Sequence, residues 1–245
     1  MLRPVTAPTS PEPVDSATAR SRRTRRWLRH PAVQALFLLL VLVLVQNFLV
    51  KLYAVPSASM APTLAVGERI LVNRLAYLSD APQTGDIVVF DGDEDWRPAR
   101  DEPGWKSAAK QVSEVVGIGP GRGDSLVKRI IAGPGQRVTC CGLNGVVVVD
   151  GVPLDEDYLG SNPDFTPGVL DCGTTPTSAR CFPEFVVPED QFVVLGDNRA
   201  ASRDSVAQCR GQTTDAGQCL LTVHRDDIVG ELLLVVWPPG RARLG

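Results

Sequence analysis

Residues 31–50 form a run without a charged side chain, rich in Leu and Val, in which Gln34, Gln46 and Asn47 are the only strongly polar positions. Twenty helical residues rise about 30 Å, the thickness of a bilayer's hydrocarbon core. The run predicts one transmembrane helix. Beyond it the pattern changes. Short β-branched runs bounded by Gly, Pro or Asp fall at 69–73, 86–90, 125–132, 137–139, 146–150, 192–195 and 228–237, and each predicts a strand. The valines at 146–149 run into Asp150-Gly151, which predicts a tight hairpin. No helical apolar periodicity persists after the first run. The expected fold class is therefore mainly β, a barrel- or sandwich-like domain behind one N-terminal transmembrane helix. Residues 91–123 are polar and charged, with Trp96 and Trp105, and read as an excursion between strands.

Charge orients the chain. Arg20, Arg22, Arg23, Arg25, Arg26 and Arg29 precede the apolar run, and only Lys51 follows it closely. The positive-inside rule places residues 1–30 in the cytoplasm as a basic tail, and residues 51–245 outside it. Trp27 and Tyr53 fall where interfacial aromatics are expected. The first 19 residues, rich in Pro, Ser, Thr and Ala, are expected to be disordered. A cleaved secretory signal is the competing reading. The apolar run is longer than a usual signal core, and Pro56 and Pro62 are poor neighbours for a cleavage site, so an uncleaved anchor is favoured. Net charge is −3; the first 30 residues hold seven arginines against Glu12 and Asp15, a balance of +5, which leaves −8 for the remainder. An acidic exported domain argues against nucleic acid as a partner.

All six cysteines lie in the exported part. An even number in an oxidising compartment predicts disulfides. Cys172–Cys181 and Cys209–Cys219 would close short loops. Cys140 and Cys141 would then pair with each other or remain free. No C-x-x-C pair is present, so a zinc site is disfavoured and no metal is expected.

Four segments carry candidate chemistry. Residues 56–64 read Pro-Ser-Ala-Ser-Met-Ala-Pro-Thr-Leu, a serine-rich turn between two prolines, close after the apolar run. The others are Gly-Asp-Ile-Val-Val-Phe at 85–90, Val-Lys-Arg-Ile-Ile-Ala-Gly-Pro-Gly at 127–135, and Gly-Asp-Asn-Arg-Ala-Ala-Ser-Arg-Asp-Ser at 196–205. A serine nucleophile needs a base. The exported part has one histidine, His224, in a polar stretch that suits a solvated surface. Lys128 is the alternative. Strand alternation puts it on one face with Leu126 and Ile130, and Arg129 on the other. A desolvated lysine loses its proton more readily and can act as the base.

Together the four segments resemble the bacterial type I signal peptidases, membrane-anchored serine proteases with a Ser-Lys dyad, over about residues 49–238. The resemblance implies that Ser59 is the nucleophile and Lys128 the general base. It implies that Ser57 donates to the oxyanion hole beside the Ser59 N–H, and that Ser202 hydrogen-bonds and orients the lysine. Asp197, Asp204 and Arg129 would form a supporting salt-bridge cluster. Two positions depart from the family. Val206 stands where an arginine usually follows Asp-Ser, with Arg203 as its candidate replacement, and Leu126 stands where an aromatic often precedes the lysine.

The function implied is endoproteolytic removal of signal peptides from exported preproteins at the outer face of the cytoplasmic membrane. Small residues such as alanine are expected at the first and third positions before the cut. Val55, Pro56, Met60, Leu64 and Val127 are candidate pocket liners, and the substrate is expected to bind as an extended strand. The expected partners are signal peptides and membrane lipid, and no cofactor is implied. The rival class is a non-catalytic, disulfide-stapled anchored domain binding a cell-envelope partner. It gives no reason for Ser57, Ser59, Lys128 and Ser202 to occur together.

Overall fold

The structure is a computed structural model that describes residues 30–96, 125–212 and 219–245. The basic tail and most of the 91–123 excursion lie outside the described residues. Among the described residues, those up to Leu44 fall in one unit and those from Val45 onward in a second.

The apolar run forms helix α1, Pro31–Phe48. It stops two residues before the expected end of the span, because Val50 already pairs in a sheet. Among the described residues no helix is long and apolar enough to cross a membrane. Leu36, Phe37, Leu38, Leu39, Leu40 and Leu42 are all exposed.

The second unit is mainly β. Its larger sheet runs in the order β1 (Val50–Ala54), β2 (Arg69–Asn73), β11 (Ile228–Trp237), β3 (Ile87–Asp91), β4 (Ser125–Ala132), β9 (Gln191–Leu195) and β10 (Val223–His224). Strand β12 (Arg243–Leu244) adds to β11. The smaller sheet runs β7 (Val152–Pro153), β6 (Val147–Val149), β5 (Arg137–Cys140) and β8 (Phe182–Val186). Every pairing between these strands is antiparallel. The predicted hairpin is present between β6 and β7. Asp150 and Gly151 both have positive φ, 52° and 80°, the backbone a two-residue turn of this type requires.

Alternation along the strands divides the core. Val88 and Phe90 pack with Ile130, Phe192, Val194 and Trp96 on one side. Ile87 and Val89 pack with Tyr53, Val55, Met60, Leu64, Ile70, Val72 and Val127. A third cluster joins β5, β6 and β8 to Ile131, Val193, Leu195 and Val206. Burying one such side chain contributes about 1.5–3 kcal/mol, so the strands that carry the candidate residues are held on more than one face.

The cysteines pair as Cys172–Cys181, Cys209–Cys219 and, between adjacent residues, Cys140–Cys141. Cys141, Cys172 and Cys181 bring their sulfurs within 4.8 Å of one another, and each is engaged in a disulfide.

Candidate active site

Ser59 sits in a single 3₁₀ turn, Ala58–Met60, between extended residues Ser57 and Ala61. The turn is held from both ends and from below. Val55 N–H donates to Glu68 O at 2.9 Å, and Leu64 N–H donates to Met60 O at 2.8 Å. Met60 and Leu64 are fully buried and act as plugs under the turn. The fourth motif reaches it across 140 residues: Asn198 Nδ2 donates to Ala58 O at 3.1 Å, and Asn198 N–H donates to Ser59 O at 3.0 Å.

Lys128 lies in β4 opposite Val88 of β3. Leu126 and Ile130, its neighbours on the same face, pack in the Val88–Phe90 cluster. The lysine is only 3% exposed. Its Nζ donates to Ser59 Oγ at 3.0 Å and to Val127 O at 2.9 Å. Burial pushes the ammonium down to about 8, against the opposing pull of the Asp204 and Asp197 charges. Ser57 is exposed on the turn, and its Oγ–H donates to Ser59 Oγ at 3.3 Å. The two serines and the lysine thus converge on one oxygen.

Around this centre are two buried carboxylates. Asp197 takes a bidentate contact from Arg129, Nε to Oδ1 at 2.9 Å and Nη2 to Oδ2 at 2.7 Å, the strong fork geometry for such a pair. Thr63 Oγ1 also donates to Asp197. Arg129 Nη1 donates to Gly85 O at 2.8 Å, and the ring of Tyr158 lies 4.0 Å from its guanidinium carbon. Asp204 is also fully buried; it accepts from Gly196 N–H at 3.2 Å and from Arg210 Nη2 at 3.1 Å.

The geometry departs from the sequence expectations in two places. Ser202 is not bonded to Lys128. Its Oγ is buried and has no hydrogen-bond partner. It lies against Gly196, where an added Cβ would come within 2.3 Å of Ser202 Oγ and 2.5 Å of Ser59 O. Arg203 does not replace the missing arginine. It is exposed and donates to Asp95 O, while Arg210 reaches Asp204. Val206 packs instead in the core.

The candidate liners Val55, Met60, Leu64 and Val127 share one apolar cluster beside the serine turn, with Pro56 exposed next to Ser57. His224 is exposed and caps a short turn, accepting from Asp226 N–H. Sequence reasoning does not find Thr63, Tyr158 or Arg210. Thr63 stands inside the first motif; Tyr158 and Arg210 lie in segments with no motif and are recognised only by what they touch.

A family described as signal peptidase, peptidase S26, matches residues 26–237. A signal peptidase I of Mycobacterium tuberculosis is 36% identical over 231 residues, covering 89% of this chain and 75% of its own length. A probable signal peptidase I of Mycobacterium leprae is 33% identical over 212 residues, covering 80% and 71% respectively. A crystal structure of a signal peptidase I from Enterococcus faecalis aligns with 62% of this chain and 97% of its own, at 24% identity and a TM-score of 0.32.

Proposed function

Because the chain belongs to the signal peptidase family S26, it is a serine endopeptidase that removes signal peptides from preproteins, and we propose that Ser59 and Lys128 carry the cleavage. The observation that bears most weight is the 3.0 Å contact between Lys128 Nζ and Ser59 Oγ with the amine buried. Above its lowered pKa the amine is neutral and accepts the serine proton as Oγ attacks the scissile carbonyl. The oxyanion that forms accepts from Ser57 Oγ–H and from the Ser59 N–H. The Lys128 ammonium then gives its proton to the leaving amine, and the neutral lysine activates the water that releases the acyl group. The two Asp–Arg pairs hold the strands around the base. Pro56, exposed next to Ser57, and Val127 at the margin of the apolar cluster offer the surface for small substrate side chains, and the buried Val55, Met60 and Leu64 back that surface from beneath.

One experiment tests the dyad. Cleavage of a preprotein in detergent is followed from about pH 6 to pH 10. The wild-type rate should climb through about pH 8, where Lys128 becomes neutral, and the Ser59→Ala protein should stay at background throughout. A wild-type rate that is flat across this range, with chemistry limiting, rules out the lysine base.

We further propose that α1 lies in membrane lipid, with the Arg-rich residues before it in the cytoplasm and the β domain outside. The described helix by itself falls short of a full span, but residues 31–50 carry no charge, and the exposed Leu and Phe side chains favour hydrocarbon over water. Ser59 follows Phe48 by eleven residues, so the site is held near the membrane surface, where a preprotein's apolar segment presents its cleavage point. A protein lacking residues 1–48 should keep its rate on short soluble peptides. It should lose about 100-fold on preproteins inserted in vesicles, as confinement to one surface is lost. Equal loss on both substrates would mean that the helix supports the fold of the site instead.

A further inference from the structure

The charged groups that act on Lys128 are Asp204 and Asp197, and each is matched by its own arginine. Arg129 serves Asp197 from the residue next to the lysine. Arg210 serves Asp204 from the turn after the fourth motif, with Nη2 at 3.1 Å from both carboxylate oxygens. The position two residues after Asp204 is filled by Val206, whose side chain is buried in the core. The chain therefore carries the cation six residues after the carboxylate rather than two.

Arg210 is fixed there by covalent and backbone bonds. Its neighbour Cys209 is fully buried and bonded to Cys219. Cys209 N–H donates to Val206 O, and Gly211 N–H donates to Cys181 O, both at 2.9 Å. Asp204 is tied in turn to the backbone N–H of Gly196, the residue packed against Ser59 O.

We propose that Arg210 is a positioning residue for the catalytic base, neutralising Asp204 so that Lys128 can give up its proton, and that the Cys209–Cys219 disulfide holds it in that position. This rests on the Ser59–Lys128 reading. The sign follows from the charges. With Arg210 present, Asp204 is one half of a neutral pair. Without it, the pull of the Asp204 carboxylate on Lys128 is no longer countered by this cation, and the lysine retains its proton to higher pH.

The test is the pH profile of kcat/KM for the full-length protein in detergent on a preprotein. Arg210→Gln should move the rising limb about one pH unit to alkaline, which is about ten-fold lower rate at pH 7. It should recover to near the wild-type plateau at high pH. Arg210→Lys, which keeps the charge, should return the limb most of the way. Cys209→Ser with Cys219→Ser should shift it in the same direction by less. A limb that stays in place or moves to acid in Arg210→Gln overturns the proposal, as does a loss equal at every pH in a protein whose thermal melt is unchanged. A disulfide variant with an unmoved limb overturns the part assigned to the disulfide. Lys128→Ala separates the two readings: if it still cleaves, the dyad itself fails, whereas an inactive Lys128→Ala beside an unshifted Arg210→Gln removes only the role of Arg210.

Discussion

Lys128→Ala is expected to lower single-turnover cleavage on the order of 10⁴-fold or more, and the Ser59→Ala/Lys128→Ala double variant to fall no further. Nucleophile and base act as one unit, so removing either empties the unit. Additive losses in the double variant would show two independent contributions and contradict a dyad. Thermal melts separate this from unfolding. Lys128 titrates at about 8 in the fold against 10.5 ordinarily. Below pH 8 the lysine is protonated in both folded and unfolded chains, and the fold bears the full cost of burying the ammonium, about 3 kcal/mol. That cost declines as pH rises from about 8 toward 10.5, because the unfolded chain holds the proton longer. An apolar side chain of similar length escapes it. Lys128→Met should therefore be inactive yet melt no lower than wild type at pH 7. A lysine kept for structure would give the opposite result.

Gly196→Ala should also slow cleavage strongly, although the residue offers no chemical group. A methyl there would meet Ser202 Oγ at 2.3 Å and Ser59 O at 2.5 Å, both well inside contact distance. The hydroxyl of Ser202 can turn away, but the backbone oxygen of the nucleophile cannot move alone. Displacement of the serine turn by a fraction of an ångström to about 1 Å costs on the order of 100-fold in rate. The loss should appear in kcat more than in KM. Retention of more than half the wild-type kcat would mean that the turn shifts freely and that Gly196 does not set its place.

Part of this architecture is legible in the amino-acid order. Strands β2, β4 and β11 lie where β-branched runs between turn residues put them, because such runs pack well on a pleated, half-buried surface. Strand β1 is hidden by its own apolarity. Val50 continues the composition of α1 without a break, and only its pairing with Asn73 separates strand from helix. Strand β8 escapes the pattern because Pro183 and Glu184 interrupt it. It lies at the edge of the smaller sheet, where proline is tolerated. At the site, residues close to one another in the motifs are readable, and residues brought in from elsewhere are not. Arg210 depends on a turn and a disulfide to meet Asp204, and no spacing rule announces that. Ser202 shows the reverse: its place in the motif suggests a bond to Lys128, whereas its buried Oγ has no hydrogen-bond partner.

The place of β11 in the larger sheet has a consequence for biogenesis. It lies between β2 and β3, pairing with both, although it follows them by more than a hundred residues. Until residue 237 has left the ribosome, β2 and β3 have no strand bridging them. The serine turn leading into β2 and the lysine strand paired with β3 then lack a continuous sheet between them. On the proposed Ser59–Lys128 reading, a nascent chain carries its nucleophile early, but the sheet around the site closes only when its last long strand is in place. Competence on that reading arrives late, with the last long strand to be synthesised.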